Sequence, residues 1–319
     1  MSTDATLTSL IDSLLAGERI GIDQWPSQLG ALEDWGLVAG PLGIELPESL
    51  EALHGEAIRA VMSQRAVAWL RGLEIHSAIG STSDRLLTLA DAGSIDGMVC
   101  LAELQTKGRG RRGRTWHTPL GGSLALSAGF NIDRSLADLG GLSLVAGLAL
   151  IDSLQHLGLG SLALKWPNDL LLGGAKLGGI LIELKTAPAG QSATQVIIGI
   201  GLNLQLPARV RDAIDQEVTD LSAAGKRIGR NDLAAQVIGN LIDYVQQFET
   251  GGFAPMREQY DVHHRMHDRH CEVRIGTRRV HGRVLGVTNF GELEMQTDAG
   301  YQVFRGGEVS LRERGRESD

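Results

Sequence analysis

The sequence predicts an α+β protein in three parts: a small α segment over residues 1–55, a large α+β domain over residues 65–268, and a small β-barrel over residues 269–319. Three observations predict it. From Ala68 onward, short apolar runs of strand length alternate with longer helical stretches. After Cys271 the runs become uniformly short, evenly spaced and joined by glycine-containing turns, the pattern of a small barrel. Before residue 55 the apolar residues fall at helical spacing in a strongly acidic stretch.

Taken in order, Leu7, Leu10, Ile11, Leu14 and Leu15 share one helical face, and Gly17 ends the run. A second short amphipathic piece spans Ser27 to Trp35, and Gly36 to Pro47 reads as a hairpin or wing. Glu48 to Ser63 reads as a linker that becomes a helix. Ser83 to Ala92 reads as a helix capped by Ser81 or Thr82. Strands are expected over Met98–Glu103, Ser123–Asn131, Ala163–Lys165, Leu170–Leu172, Leu177–Glu183 and Gln195–Leu204. Leu139 to Leu157 reads as a buried helix, Asp232 to Phe248 as a long one, and Pro255 to Tyr260 as a short one. The barrel strands are Cys271–Ile275, Arg279–Val287, Leu293–Thr297 and Tyr301–Arg305.

Composition narrows the function classes. Hydrophobic residues are 43% and charged residues 21% of 319, which excludes wholesale disorder. Cys100 and Cys271 are the two cysteines, too few for a disulfide scaffold or a multi-cysteine zinc module, and they fit a reducing compartment. The N-terminus has no basic region before an apolar one, so no signal peptide is read. The longest apolar stretch, Leu139–Ile151, is too short to span a bilayer. The expectation is a soluble, cytoplasmic protein. The net charge of -8 is concentrated: residues 1–55 hold nine acids and one base, Arg19, and the remainder balances. That first segment is a poor surface for phosphates.

The sharpest local feature is Lys107-Gly-Arg-Gly-Arg-Arg-Gly-Arg114, five cations in eight residues. Its glycines permit positive φ, its backbone N–H groups can cradle an anion, and its guanidinium forks fit phosphate or carboxylate. Gly108, Gly110 and Gly113 also match a dinucleotide fingerprint, but no helix follows them directly. An RNA-binding Arg-Gly segment normally sits in a long disordered tract, and this is a single copy between strands. Taken alone, the loop is equally well a solvated basic loop, and Trp116 equally well a core residue or a lid over a flat ligand.

The second feature is Lys165-Trp-Pro-Asn-Asp169 followed by Lys176-Leu-Gly-Gly-Ile-Leu-Ile-Glu183. Pro167 and the Asn-Asp pair make a turn between strands. Gly178 and Gly179 in a strand mark close approach of a ligand. Lys176 can stabilise charge developing at a phosphoryl or acyl centre, although a lone strand-end lysine more often snorkels to solvent. His263, His264, His267 and His270 lie beside Cys271. They raise a transition-metal reading, against which solvated helix-end histidines are the favoured one.

The two motifs together, with Gly199-Ile-Gly-Leu-Asn203 and the terminal Gly306-Gly-Glu-Val-Ser-Leu-Arg312, closely resemble the biotin–protein ligase, or biotin–[acetyl-CoA-carboxylase] ligase, family over residues 75–315. The resemblance implies a central mixed β-sheet with helices, an SH3-like C-terminal barrel and an N-terminal winged-helix remnant. It implies a ligase that forms a C–N bond: biotin and ATP with Mg2+ give biotinyl-5′-AMP, and biotin then passes to a lysine of the biotin carboxyl carrier domain of acetyl-CoA carboxylase. By resemblance, Ser81, Thr82, Ser83 and Gln105 hydrogen-bond the biotin head. The family usually shows Ser-Thr-Asn, so Ser83 departs from it. Arg109, Gly110 and Arg111 fold over biotin and the adenylate, and Trp116 shields it. Lys176 contacts the biotin carboxylate and α-phosphate beside Gly178, Asn203 binds adenine, and Asp169 helps hold the metal. Arg109, Arg111 and Lys176 are the catalytic cations, with Glu308 and Arg312 contributing from the barrel.

Many members of that family also repress transcription through an N-terminal winged helix-turn-helix. Here Leu7–Leu15 resembles its first helix and Leu42–Pro47 its wing, but there is no room for a recognition helix. DNA binding is therefore not expected. The alternatives are a ligase that is also a biotin-responsive repressor, a lipoate–protein ligase, or a nucleotide-binding domain without catalysis. No membrane partner is expected, and a homodimer through an edge of the central sheet is.

Overall fold

The computed structural model describes residues 3–47, 50–185, 193–226, 228–306 and 309–313. The chain opens with α1 (Thr3–Leu15), which buries Leu7, Ile11 and Leu14 on one face as its spacing requires. The expected amphipathic piece over Ser27–Trp35 is two 3₁₀ turns, Ser27–Leu29 and Leu32–Trp35. Gly30 (φ 73°) and Gly36 (φ 80°) end them, so no helix long enough to enter a DNA groove forms between α1 and the hairpin β1 (Val38–Gly40) and β2 (Gly43–Glu45). The apolar residues of this unit share a core with Ala78, Leu104 and Leu120 of the following domain.

The large domain runs through α2 (Gly55–Val61), α3 (Gln64–Trp69), β3 (Gly72–His76), α4 (Thr82–Ala92), β4 (Met98–Ala102), β5 (Ser123–Ile132), α5 (Leu142–His156), β6 (Leu162–Lys165), β7 (Asp169–Leu172), β8 (Ala175–Lys185), β9 (Thr194–Asn203), α6 (Ala208–Asp212), α7 (Arg230–Gly251) and α8 (Arg257–His263). Its seven strands lie in the order β3-β4-β5-β9-β8-β7-β6. The β3–β4 pair is parallel and every other pair antiparallel, so the sheet is mixed, as expected. The sequence reading passed over β3, whose residues are all half-buried and whose polar Glu and His break the apolar run.

Strand alternation assigns the two faces. On β5 and β9 the even positions (Leu124, Leu126, Ala128, Val196, Ile198, Ile200) join the main core under α5 and α7. The odd positions (Ser127, Ile197, Gly199) turn to the other face, where α4 covers Cys100 and Ile197. The helical run Leu136–His156 reaches 21 residues, longer than the apolar stretch Leu139–Ile151 suggests and apolar enough for a bilayer span. Here it is the core helix, buried against α7 and the sheet.

The linker before α2 is bound to the large domain at several points. Leu53 N–H donates to Glu103 (2.6 Å), His54 N–H to Asn231 (2.8 Å), and Arg230 N–H to Glu51 (2.7 Å). Arg230 also pairs with Glu103 at 2.5 Å, with side chains only 5% and 3% exposed.

The C-terminal unit is a five-stranded antiparallel sheet, ordered β13-β12-β11-β10-β14, from β10 (His270–Ile275), β11 (Arg278–Val287), β12 (Leu293–Thr297), β13 (Gly300–Phe304) and β14 (Val309–Glu313). The four expected strands are present, and β14 adds a fifth on β10. Cys100 and Cys271 are both buried, and neither is in a disulfide.

Candidate active site

A cleft of about 1010 Å³ opens on the α4 face of the sheet. Strand glycines make room for it. A Cβ at Gly199 would lie 2.7 Å from Ser83 Oγ, and one at Gly201 would lie 2.3 Å from the Trp116 ring. The two positions are about 7 Å apart on one side of β9. The cleft therefore has a hydroxyl-lined section beside an aromatic one.

The hydroxyl section is a connected network. Ser81 caps α4, its Oγ accepting from Asp84 N–H. That places Thr82 and Ser83 in the first turn, both buried. Gln105 Oε1 accepts from Thr82 N–H (2.8 Å), and Gln105 Nε2 donates to Thr118 Oγ1 (3.0 Å). Ser127 Oγ lies 2.8 Å from Thr82 Oγ1 and 3.0 Å from Ser83 Oγ. Hydroxyl hydrogens rotate, so such a group can present donors or acceptors to a neutral polar ligand. Ser83, which departs from the usual asparagine, is thus inside the network. Ser127 and Thr118 were missed by the sequence reading. The signal for Ser127 is a hydroxyl in the middle of a mostly apolar strand.

The glycine-arginine loop folds back on itself. Trp116 N–H donates to Gly108 O (2.8 Å), and Gly110 N–H donates to Arg114 O (2.7 Å). Gly108 is obligatory, since a Cβ there would sit 2.3 Å from the Trp116 carbonyl oxygen. Arg112 (φ 60°) and Gly113 (φ 72°) take consecutive left-handed conformations that turn the loop. Arg109 donates to both Glu183 oxygens at 2.9 Å and reaches Asp84 at 2.5 Å. Arg111 donates to Asn168 Oδ1 (2.8 Å) and to the Gly306 carbonyl of the C-terminal unit. Burial pulls the Arg111 pKa below its ordinary value; Asp169 opposes that shift, and Arg112 and Arg114 reinforce it.

Lys176 borders a β-bulge in its own strand: Leu170 and Leu171 of β7 pair with Gly178 and Lys176, leaving Leu177 as the extra residue. Lys176 Nζ is 2.8 Å from Asp169 Oδ1 and 5.6 Å from the Trp116 ring centroid, and the side chain is 14% exposed. It does not snorkel into solvent. Trp116 Nε1 is buried with no hydrogen-bond partner, an unused donor in the wall of the cleft. Trp166 anchors the turn before Asp169, donating Nε1–H to Gly291 O (3.0 Å) in the C-terminal unit.

The cleft thus gathers Ser81, Thr82, Ser83, Gln105, Arg109, Gly110, Arg111, Trp116, Asp169 and Lys176. Two expected residues stand outside its lining. Gly178 packs against Leu202 and the Gly201 carbonyl. Asn203 is buried and donates to Thr219 O (3.0 Å), while Thr219 N–H donates to Lys176 O (2.9 Å). Asn203 thereby braces the segment that pairs with Lys176. Glu308 and the side chain of Arg312 lie outside the described residues.

Fold and cleft define the ligase class that activates a small carboxylic acid. Residues 79–203 match the biotin/lipoate A/B protein ligase family, and residues 267–312 match the biotin protein ligase C terminal domain. The chain is 35% identical to the bifunctional ligase/repressor BirA of Salmonella typhimurium, over 97% of this chain and 98% of that one. It is 34% identical to the biotin–[acetyl-CoA-carboxylase] ligase of Paracoccus denitrificans, over 72% of this chain and 96% of that one. The biotin protein ligase of Aquifex aeolicus, solved with biotin and ATP, superposes with a TM-score of 0.65 at 25% identity, covering 77% of this chain and 100% of that one. This chain belongs to the biotin protein ligase family.

Proposed function

We propose that this protein activates biotin with ATP to biotinyl-5′-AMP and transfers the biotinyl group to a lysine of the biotin carboxyl carrier domain of acetyl-CoA carboxylase. The observation that carries the proposal is the union, in one cleft, of a neutral hydroxyl-and-amide network with three cations beside it. Biotin matches that division. Its ureido ring is a neutral donor and acceptor, and its carboxylate lies at the far end of an apolar chain.

In this reading the Ser81–Ser83 turn, Ser127 and Gln105 hold the ring. The carboxylate oxygen attacks the α-phosphorus of ATP, the bond to the bridging oxygen breaks, and pyrophosphate leaves. Two anions must meet for this, and Lys176, Arg109 and Arg111 offset the repulsion. The carrier lysine then attacks the acyl carbon, AMP leaves, and an amide forms. Trp116 and the 108–114 loop exclude water from the mixed anhydride until then. Mg2+ supplies charge neutralisation on the phosphates. Asp169, which gives Lys176 one oxygen at 2.8 Å, has a second for the metal, and Asp215 and Glu217 line the same cleft. A phosphate-bound Mg2+ needs only one or two such carboxylates.

The proposal extends to the remaining expectations. The acidic N-terminal unit, with 3₁₀ turns in place of a recognition helix, does not bind DNA specifically. The protein works in the cytoplasm, and a homodimer forms through an edge of the central sheet. A salt-sensitive nanomolar shift of a biotin-operator duplex would overturn the DNA statement, and a concentration-independent monomer mass in sedimentation would overturn the dimer. The main test is transfer of biotin to an apo carrier domain with MgATP, read with avidin. Labelling that requires both biotin and ATP supports the reading. Labelling with lipoate instead, or no pyrophosphate release with biotin, overturns it.

A further inference from the structure

One cluster outside the cleft has no part in that chemistry. Asp261 in α8, His264 just after it and His267 one turn further follow an Asp-x-x-His-x-x-His spacing. One potential ligand atom from each lies within 4.8 Å of the other two. Asp261 Oδ1 and His267 Nδ1 are 3.9 Å apart.

The polar accounting at this place does not close with protein atoms alone. His264 is 5% exposed, and neither of its ring nitrogens has a hydrogen-bond partner. It is therefore not the solvated helix-end histidine the sequence suggested. Asp261 Oδ1 is also buried without a hydrogen-bond partner, while its Oδ2 faces Arg257 at 3.8 Å. A buried acceptor left unmatched is costly, and so is a buried imidazole with two idle nitrogens. The backbone keeps space beside the carboxylate. Gly286 sits at a bulge of β11 with φ 138°, and a Cβ there would lie 3.1 Å from Asp261 Oδ1. His267 is 42% exposed, which opens the cluster to solvent on one side.

The geometry points to a divalent transition-metal site, best matched by Zn2+, with Asp261 Oδ1, one ring nitrogen of His264 and His267 Nδ1 as protein ligands and solvent in the fourth position. Tetrahedral zinc with bonds of about 2.0–2.1 Å sets its ligand atoms about 3.3 Å apart, so the observed 3.9 Å pair needs only a small side-chain rotation. Imidazole and carboxylate select zinc, cobalt or nickel rather than magnesium or calcium. The other acid–histidine–thiol group, Glu74, His76 and Cys100, lacks this character because Arg85 already holds both Glu74 oxygens.

The site's position gives it a structural role. Arg265 N–H donates to Leu164 O of β6, and Asp268 N–H donates to Val284 O of β11. The segment that supplies the two histidines therefore joins the catalytic sheet to the C-terminal sheet, and Arg265 and Met266 line the cleft. A metal here clamps that joint.

The test uses the full chain, stripped with EDTA and titrated with Co2+ and then Zn2+. The expected result is one equivalent of Co2+ with visible d–d absorption, displaced by Zn2+, and a rise in Tm of about 3 °C at saturating Zn2+. His267→Ala, an exposed position, leaves the metal-free Tm unchanged and weakens binding at least about tenfold, as does Asp261→Asn, whereas His76→Ala has no effect. No binding tighter than about 100 μM, at which level a folded clamp is not metal-dependent, overturns the inference. Co2+ binding unaltered by His267→Ala overturns it as well.

Discussion

Lys176→Ala is the substitution that most directly separates chemistry from architecture. The ammonium lies 2.8 Å from Asp169 and 5.6 Å from the Trp116 ring, in a side chain 14% exposed. A unit charge about 4 Å from a reacting anion is worth about 4 kcal/mol at the effective dielectric of such sites. Loss of one preorganised stabiliser of this kind lowers turnover by about 10²–10³. The variant also leaves Asp169 without its ammonium partner, which on the proposed mechanism adds to the loss. Its structural cost is small, because a partly exposed pair contributes about 1 kcal/mol or less. The expected result is pyrophosphate release with a kcat down by about 10²–10³ and a Tm within about 2 °C of the parent. Pyrophosphate release within threefold of the parent, in a variant that remains folded, would refute the assignment of Lys176 to the reacting centre.

Gly201→Ala places a Cβ 2.3 Å from the Trp116 ring and must unseat it; the KM for ATP rises by about tenfold or more while biotin affinity measured calorimetrically stays near the parent value. Arg230→Ala leaves Glu103, 3% exposed, without its partner. It should lower the guanidinium midpoint by an amount equivalent to about 3–5 kcal/mol, whereas joint replacement by Met and Leu loses much less. Arg85 holds the Glu74 carboxyl down at about 2 from an ordinary 4.5. A depressed carboxylate contributes its stability above pH 4.5 and loses it as pH falls toward 2, so Glu74→Gln flattens that limb of the acid-unfolding curve by about 2 kcal/mol once solvent screening is allowed for.

What could be read from the chain, and what could not, divides along physical lines. Strands such as Ser123–Ile132 and Thr194–Asn203 carry their apolar period in the sequence, and the core helix carries an unbroken apolar run. Gly199 and Gly201 were visible as glycines, but their purpose depends on what faces them from 70 or more residues away. Ser127 is the same case: a hydroxyl inside a mostly apolar strand acquires meaning only when Thr82 and Ser83 arrive above it. The Gly108–Arg114 loop announced its cations but not their resting partners, Glu183 and Asp84 for Arg109, Asn168 and Gly306 for Arg111. Asn203 was read as a ligand contact from its motif, and nothing in the sequence signals that its amide also bonds the backbone of Thr219. β14 lay in a segment recognised by its ending but not by its strand period.

The hydrogen bond from Arg111 to the carbonyl of Gly306 has an organisational consequence. An arginine of the cleft takes part of its orientation from a residue about 200 positions later, in the C-terminal unit. The loop's internal bonds and the Arg111–Asn168 bond form within the large domain, but the Gly306 contact forms only once the C-terminal sheet has docked. A chain clipped before Gly306 would keep the Asn168 contact but lose one acceptor that fixes this guanidinium. One side chain of the cleft thus registers whether the C-terminal sheet is in place.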